Sequence, residues 1–433
     1  MPEWMPQQRS QARLTSTLGC SARNSVMVLI SSLVVMRPPC SDCTLALRRT
    51  AGQRLTAVCS KRGRRGQGIG DSASLQASGA LRIHVECLSM TRPSHIDRRR
   101  FLQGAGAAAT LPWVTSCAQP GSGAQRPPGV PLGAFDGDST ALEVTEGINL
   151  SGKTVLVTGA TSGLGLETMR VLALRGAHVI GTGRTLEKAK AACDGINGRT
   201  TPVALELERW DTVVSASELI RTLGMPIDML ICNAGIMALP KPEQVYGIEK
   251  HFAVNHLGHF LLVNRLLDQL KAAPQGRVVV VSSLGYKWAP TAGIEFDNLA
   301  GTRGYEPNKM YGQSKLANGL FSLELARRLR AEGSMATSNS VHPGIINTNL
   351  GRHFDAWKRT LSKLIGWTFM KSVEAGAATS CYVATAPALA SSSGHYFEDC
   401  NPVVPEAGKH MDDLALAARL WQKSTELVGE YLG

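Results

Sequence analysis

The sequence predicts an α/β domain, built on one doubly wound parallel sheet of about seven strands with helices on both faces. Three observations predict it. Short strands alternate with amphipathic helices along residues 148–433, and the strands are apolar throughout, as in sheets that are covered on both faces. The first strand runs through a glycine-rich turn directly into a helix. The segment is also long enough to bury a substantial core as one domain.

Each element follows from its local pattern. The predicted strands are short runs rich in Val, Ile and Leu, at 153–158, 178–183, 202–207, 228–232 and 277–282. The clearest helices repeat apolar residues every three or four positions, at 164–175, 249–270 and 308–330. Because the carboxyl ends of parallel strands meet at one edge, ligands of such a sheet are expected beyond that edge.

Charge is distributed unevenly along the chain. The formal net charge is +12, yet residues 1–100 carry 16 Lys and Arg against 5 Asp and Glu, which leaves 30 basic and 29 acidic residues for the rest. The nearly neutral folded part argues against nucleic acid as a partner. A hydrophobic fraction of 43% with 18% charged residues excludes a disordered chain or a bundle of membrane spans.

The amino-terminal part is predicted to contain no domain. Residues 1–89 lack sustained periodicity, and their lone C-x-x-C motif, Cys40 and Cys43, has no second pair that would complete a zinc site. We therefore expect no metal centre. Residues 118–147 are rich in Pro and Gly and are predicted to form a linker without a core of its own.

In residues 90–117 the pattern Arg98-Arg99-Arg100-Phe101-Leu102 precedes a weakly apolar run that ends in small residues before Cys117. This order resembles a bacterial twin-arginine export signal, and the small residues before the cysteine resemble a lipid-attachment site. This predicts a bacterial protein in the periplasm or lipid-anchored at Cys117, and Met90 as the start, so that residues 1–89 are not translated. The alternative is a basic linker in a cytoplasmic protein.

The turn after the first predicted strand has the chemistry of a phosphate-binding loop. It reads Thr158-Gly159-Ala160-Thr161-Ser162-Gly163-Leu164-Gly165. Gly159 permits a tight turn, Gly163 lets the backbone approach a pyrophosphate, and Gly165 permits close packing of helix on strand. The helix then offers free N–H groups to the phosphates. By itself the turn could also be purely structural, but its context favours a Rossmann-type dinucleotide site.

The spacing TGxxxGxG, with further motifs in order, resembles the short-chain dehydrogenase/reductase family. The resemblance covers nearly all of residues 148–433 and is nearest to the retinol-dehydrogenase-like branch. The matching motifs are Asn233-Ala234-Gly235, Asn255 in FAVNHLGHF, Ser282-Ser283, Tyr311-Gly312-Gln313-Ser314-Lys315, His342-Pro343-Gly344 and Thr348. The resemblance implies an oxidoreductase that transfers hydride between a nicotinamide cofactor and a carbonyl or alcohol carbon.

The expected catalytic residues are Asn255, Ser283, Tyr311 and Lys315. Tyr311 and Lys315 lie four residues apart and share one helix face, so an ammonium beside the phenol is expected to lower its pKa and make it an acid–base catalyst. Ser283 can polarise a substrate carbonyl, and the resemblance favours it over Ser282. The resemblance also implies that Lys315 binds the nicotinamide ribose and that Asn255 holds a water that passes protons to Lys315.

The expected cofactor is NADP(H), with NAD(H) as the alternative. Arg184 follows the second strand where a 2′-phosphate would lie, and no carboxylate stands there to bind a free 2′-hydroxyl. Arg184 could instead be a solvated loop charge. Relatives place Asp-Leu after the third strand, whereas this chain has Glu206-Leu207. The expected cofactor contacts are Gly159, Thr161, Ser162, Gly163, Leu164, Gly165, Arg184, Glu206, Leu207, Asn233, Ala234, Gly235, Tyr311, Lys315, Pro343, Gly344 and Thr348.

The substrate is expected to be an apolar small alcohol, aldehyde or ketone. Residues 286–307 and 350–371 are rich in aromatic and aliphatic side chains and lie where family members place substrate-contacting loops. Ordinary core packing is the alternative for these stretches. A catalytically silent NADP-binding sensor or scaffold is the alternative function, although all four catalytic residue types are present. Oligomer formation is left open.

Overall fold

The computed structural model describes residues 125–346 and 371–433, together with the backbone of six strand segments between residues 28 and 89. The chain divides into two units, Met1–Thr115 and Ser116–Gly433. The predicted export signal, Cys117, Thr348 and nearly all of residues 350–371 lie outside the described residues.

The strand segments of the first unit are described by their backbone alone. The sequence shows no strand periodicity there, and because no side chains are described, the prediction that residues 1–89 form no domain stays a prediction. The segments are Val28–Ile30, Leu33–Val35, Cys43–Thr50, Arg54–Lys61, Ala73–Gln76 and Arg82–Ser89, the last four of which pair in one sheet.

An eight-stranded sheet organises the second unit and confirms the predicted doubly wound fold. The strands are β1 (Thr154–Val157), β2 (His178–Gly183), β3 (Thr200–Ala204), β4 (Met229–Cys232), β5 (Arg277–Val281), β6 (Thr337–His342), β7 (Tyr396–Glu398) and β8 (Asn401–Val403). Their order in the sheet is β8-β7-β6-β5-β4-β1-β2-β3, parallel except for β8, which pairs antiparallel with β7 and brings the count one above the expected seven.

Helices cover both faces of this sheet and enclose two hydrophobic clusters. The helices are α1 (Ala141–Val144), α2 (Gly163–Leu174), α3 (Leu186–Asp194), α4 (Trp210–Thr222), α5 (Lys250–Phe252), α6 (Gly258–Arg265), α7 (Leu267–Ala272), α8 (Pro307–Ala331), α9 (Val373–Thr385) and α10 (Leu414–Leu432). One cluster is formed with α4, α6, α8 and α10, and the other with α1, α2 and α9.

Two predicted elements differ from the structure. The third strand is β3, Thr200–Ala204, and not residues 202–207, because the N–H of Arg209 bonds to the carbonyl of Glu206 and turns the chain toward α4. The predicted helix over residues 249–270 is broken into α5, a π-helix (Ala253–Leu257), α6 and α7. The π-helix interrupts the regular ladder of backbone hydrogen bonds at the predicted site residue Asn255.

Residues 125–147 are packed on the domain, although the sequence predicts an unpacked linker over 118–147. The carbonyl of Gln125 accepts from the N–H of Val404 at 2.8 Å, and the carbonyl of Phe135 accepts from the Asn401 amide at 2.7 Å. The Phe135 ring packs edge-on against Tyr382, with centroids 5.5 Å apart. Composition missed this because the contacts join residues far apart in the chain.

None of the helices in the described ranges combines the length and the hydropathy that crossing a lipid bilayer requires.

Candidate functional site

The predicted motifs converge at the carboxyl ends of four neighbouring strands. Thr158 follows β1, Asn233 follows β4, Ser282 follows β5, and His342 closes β6. These strands are adjacent in the sheet order. This edge is the place where open α/β sheets bind their ligands.

The glycine-rich turn is tightly packed against the turn after β4. A Cβ on Gly165 would lie 2.3 Å from the carbonyl oxygen of Gly159 and 2.5 Å from the Asn233 amide nitrogen. Gly159 has a φ of +66°, and a Cβ there would lie 3.0 Å from that of Ala234. Only glycine meets both demands.

The amino terminus of α2 offers free donors beside this turn. Ser162 is the N-cap residue, but its side chain makes no capping hydrogen bond. Gly163 opens the helix with a φ of +54°. Backbone N–H groups at a helix start, with glycines that leave room, fit the pyrophosphate of a dinucleotide.

Thr158 joins the two turns, a role that the local sequence pattern does not indicate. Its hydroxyl oxygen accepts from the N–H groups of Asn233 at 2.9 Å and of Ala234 at 3.0 Å. Its carbonyl accepts from the Asn233 side-chain amide at 2.9 Å. Thr158 therefore fixes the Asn233-Ala234-Gly235 turn relative to β1.

Tyr311 and Lys315 lie on one face of α8, and both side chains are buried. The Lys315 ammonium lies 5.8 Å from the centre of the Tyr311 ring and donates to the carbonyl of Val281 at 2.9 Å. It also faces Gly235, where a Cβ would lie 3.6 Å from its Nζ. The two residues thus share one face, as the spacing predicts.

Burial dominates the titration of this pair. It raises the pKa of Tyr311 to about 12, although the Ser283 hydroxyl acts in the opposite direction. Burial also lowers the pKa of Lys315 to about 8. Desolvation is thus the largest influence on the phenol pKa in this structure, and the expectation that Lys315 lowers this pKa stays a prediction.

The two serines after β5 have different surroundings. Ser282 is buried and donates its hydroxyl to the carbonyl of Lys315 at 2.7 Å. The Ser283 hydroxyl oxygen accepts from the N–H of Gly285 at 3.1 Å and lies near the Tyr311 hydroxyl. The Ser283 hydroxyl therefore faces the phenol of Tyr311, whereas the hydroxyl proton of Ser282 is bonded to the backbone of Lys315.

Two glycines let the Ser283 turn approach α8. A Cβ on Gly285 would lie 2.8 Å from the Tyr311 ring, and one on Gly312 would lie 2.7 Å from the backbone of the same turn. His342 supports the turn from β6, since its Nδ1 accepts from the N–H of Leu284 at 3.4 Å. Burial lowers the pKa of His342 to about 4.

The Asn255 side chain is held on two sides. Its Oδ1 accepts from the N–H of Ile236 at 2.8 Å, and its Nδ2 donates to the carbonyl of Ile236 at 3.0 Å and to the Ser314 hydroxyl at 2.9 Å. A Cβ on Gly235 would lie 3.2 Å from the same Oδ1. Asn255 therefore fixes the loop after β4, and the water-holding role that the resemblance implies stays a prediction.

The remaining predicted contacts lie around the same edge. Arg184 is exposed directly after β2, Glu206 is partly buried after β3, and Leu207 is buried. Pro343 and Gly344 follow β6, and the φ of Gly344 is +94°. Gly183, at the end of β2, lets this strand approach the glycine-rich turn after β1, since a Cβ on Gly183 would lie 2.6 Å from Thr161.

The predicted substrate stretch divides into two parts. Trp288 is 49% exposed, and its ring centre lies 6.4 Å from that of Tyr311. Phe296 instead packs under the Arg419 guanidinium at 4.2 Å, and the Tyr305 hydroxyl donates to the carbonyl of Leu239 at 2.8 Å. Of these three aromatic residues, Trp288 presents an apolar surface beside the phenol, and the other two contact the surrounding fold.

Comparisons with known proteins agree with this geometry. A family model described as short chain dehydrogenase matches residues 153–359. Short-chain dehydrogenase TIC 32 A, chloroplastic, of Brassica napus is 42% identical over 300 residues, which are 67% of this chain and 93% of that protein. Retinol dehydrogenase 13 of Homo sapiens is 41% identical over 293 residues, 65% of this chain and 86% of that protein. A Mycobacterium paratuberculosis crystal structure superposes with a TM-score of 0.55 at 33% identity, over 66% of this chain and 97% of that chain.

Proposed function

This chain belongs to the short-chain dehydrogenase/reductase family and is an NAD(P)-dependent oxidoreductase, and from this premise we propose that it interconverts an apolar carbonyl compound and its alcohol, with Tyr311 as the general acid and base. The observation that carries the proposal is the meeting of Tyr311, Ser283 and Lys315 beside the turn after β4. Without that convergence, the fold alone would not identify a reaction.

The residues act on the substrate oxygen. The bound nicotinamide supplies the hydride in reduction and accepts it in oxidation. In reduction, Ser283 donates a hydrogen bond to the carbonyl oxygen, and Tyr311 transfers its hydroxyl proton to that oxygen as the negative charge develops. The resulting phenolate lies on the same helix face as the Lys315 ammonium, which favours it electrostatically. Oxidation reverses the proton transfer.

The proposed cofactor is NADP(H). Arg184 is exposed directly after β2, and a guanidinium binds a phosphate through two parallel hydrogen bonds. The carboxylate that would favour a free 2′-hydroxyl is missing at this strand end. Glu206 lies after β3 for contact with the adenine.

The proposed substrate presents an apolar group beside its carbonyl. Trp288 supports this because half of its large apolar side chain is exposed next to Tyr311, and apolar surface of this size is stabilised by a matching ligand. Retinol dehydrogenase 13 is a relative by sequence. The substrate class that its name gives is therefore included in the panel of carbonyl compounds that tests whether the substrate is apolar.

The test is Tyr311→Phe, assayed by the loss of NADPH absorbance with a panel of apolar aldehydes and ketones. We expect turnover to fall at least about a hundredfold while NADPH still binds. Tyr286→Phe is the matched control for the loss of a buried phenol hydroxyl, because Tyr286 is also buried but its hydroxyl accepts from the N–H of Glu406. Full turnover in Tyr311→Phe would overturn the assignment; NADPH binding by a wild type that turns over nothing would favour a sensor.

We also propose that residues 90–117 direct export by the twin-arginine route. The support is the order of the features in the sequence: the arginine pair, a weakly apolar run and Cys117. Replacing both Arg98 and Arg99 by Lys is expected to leave the protein in the cytoplasm of a bacterial host. Equal export of that variant, measured by fractionation, argues against the signal.

A further inference from the structure

A buried histidine, His259, lies between two parts of the site that the proposed chemistry does not connect. Its Nδ1 is 2.9 Å from the carbonyl oxygen of Asn255, and its Nε2 is 2.9 Å from the Thr158 hydroxyl oxygen. Its side chain is fully buried. Thr158 in turn holds the Asn233-Ala234-Gly235 turn through two further hydrogen bonds.

The hydrogens of this chain of contacts have one consistent arrangement. A carbonyl oxygen only accepts, so Nδ1 carries the proton and donates to Asn255. The neutral ring then accepts at Nε2, and the Thr158 hydroxyl donates to it in preference to the carbonyl of Ile231, which is 3.4 Å away. The two lone pairs of Thr158 take the N–H groups of Asn233 and Ala234. Every donor and acceptor is used.

We propose that His259 is a positioning residue. In its Nδ1–H tautomer it links the backbone of Asn255 to Thr158 by two hydrogen bonds, and it thereby holds the loop after β4 against the glycine-rich turn after β1. The inference rests on the proposed function, because that loop borders the cofactor in the proposed complex. Asn255 binds the same loop through its side chain at Ile236. Hydrogen bonds through His259 therefore join β1, the loop after β4 and the π-helix in one closed network.

A His259 ring that is protonated on both nitrogens does not fit this hydrogen-bond network. A second N–H would point at the Thr158 oxygen, whose lone pairs are already occupied. Burial lowers the pKa of His259 to about 4, and the nearby Lys315 charge acts in the same direction, against the bond to the Asn255 carbonyl. The His259 ring is thus neutral at pH values well above its pKa of about 4, which include neutral pH.

The experiment compares His259→Phe with His256→Phe. His256 is a matched control because it is equally buried, three residues earlier, and makes one hydrogen bond to Ser424 at 2.8 Å, in an aromatic cluster formed with Phe252, Phe260 and Phe321. We expect both variants to lose stability, but only His259→Phe to raise the NADPH dissociation constant, by at least about tenfold. Equal changes in both, or an unchanged constant in His259→Phe, would overturn the proposal.

Two further measurements separate this inference from the proposed function. Nitrogen-15 NMR of histidine-labelled wild-type protein is expected to show His259 protonated at Nδ1; protonation at Nε2 overturns the proposal even where a variant does not fold. Thr158→Val removes one hydroxyl and is expected to shift the His259 Nε2 resonance and to weaken NADPH binding. Both readouts are independent of turnover, whereas failure of the proposed function appears as a wild type that binds NADPH without reducing any carbonyl.

Discussion

Replacing Lys315 by Met is expected to stabilise the cofactor-free protein while abolishing its activity. The Lys315 side chain is 4% exposed, and burial lowers its pKa from 10.5 to about 8. That difference corresponds to about 3 kcal/mol, by which burying the ammonium destabilises the folded state at neutral pH. The carbonyl of Val281 keeps a donor in the variant, because the Asn318 amide also bonds to it at 3.1 Å.

The pH dependence gives the prediction its sign. Below pH 8 the amine is charged in both the folded and the unfolded chain, so the whole desolvation cost is present. Between pH 8 and 10.5 the folded protein has lost the proton while the unfolded chain keeps it, and the stability of the wild type rises with pH. We therefore expect Lys315→Met to be more stable by about 2–3 kcal/mol at pH 7 and by less than about 1 kcal/mol at pH 10.

The assay is urea unfolding of the cofactor-free wild type and variant at pH 7 and pH 10. Lys423→Met is the control, because Lys423 is a partly exposed lysine on α10 that pairs only with Glu426, and its replacement is expected to change stability by less than about 0.5 kcal/mol. A Lys315→Met protein that is less stable than the wild type by the same amount at both pH values would refute the reasoning, since the ammonium would then stabilise the fold.

The site geometry makes three more predictions. Ser283→Ala is expected to lower kcat at least about a hundredfold, whereas Ser282→Ala costs about 1 kcal/mol of stability and keeps turnover; the reverse pattern in steady-state kinetics would exchange their roles. Arg184→Ser is expected to raise KM for NADPH at least about tenfold and to leave KM for NADH within about twofold; equal changes, measured with both cofactors, contradict a phosphate contact. Gly312→Ala places a Cβ 2.7 Å from backbone atoms and is expected to destabilise the fold by about 1–3 kcal/mol. The matched helical control is Gly429→Ala, whose Cβ meets nothing within 4 Å. Equal thermal unfolding temperatures of the two variants would show that the turn after β5 moves to accommodate the methyl group.

Local sequence patterns predicted much of the candidate site. The spacing of Gly159, Gly163 and Gly165 states a backbone requirement that is independent of the rest of the fold, and the structure meets it with positive φ values at the first two and with close packing at the third. The four-residue spacing of Tyr311 and Lys315 likewise determines a shared helix face. The predicted fold followed from strand and helix periodicity for the same reason.

Other features depend on contacts between distant parts of the chain. Phe135 lies on Tyr382 although composition around it indicates a linker. The π-helix at Asn255 lies inside a stretch whose apolar repeat predicts one continuous helix. Local periodicity predicts neither the ring contact nor the π-helix, because both depend on the residues from other parts of the chain that pack against these segments.

The sequence by itself thus determined the fold, the glycine-rich turn and the residue types at the candidate site, since these depend on intervals of a few residues. The tertiary structure alone decided the state and the partners of those residues. It engages the Ser282 hydroxyl with Lys315 and leaves that of Ser283 beside Tyr311. It also desolvates the Tyr311–Lys315 pair, and it connects Thr158 to Asn255 through His259. The physical reason is that desolvation and hydrogen-bond partners are properties of the assembled core.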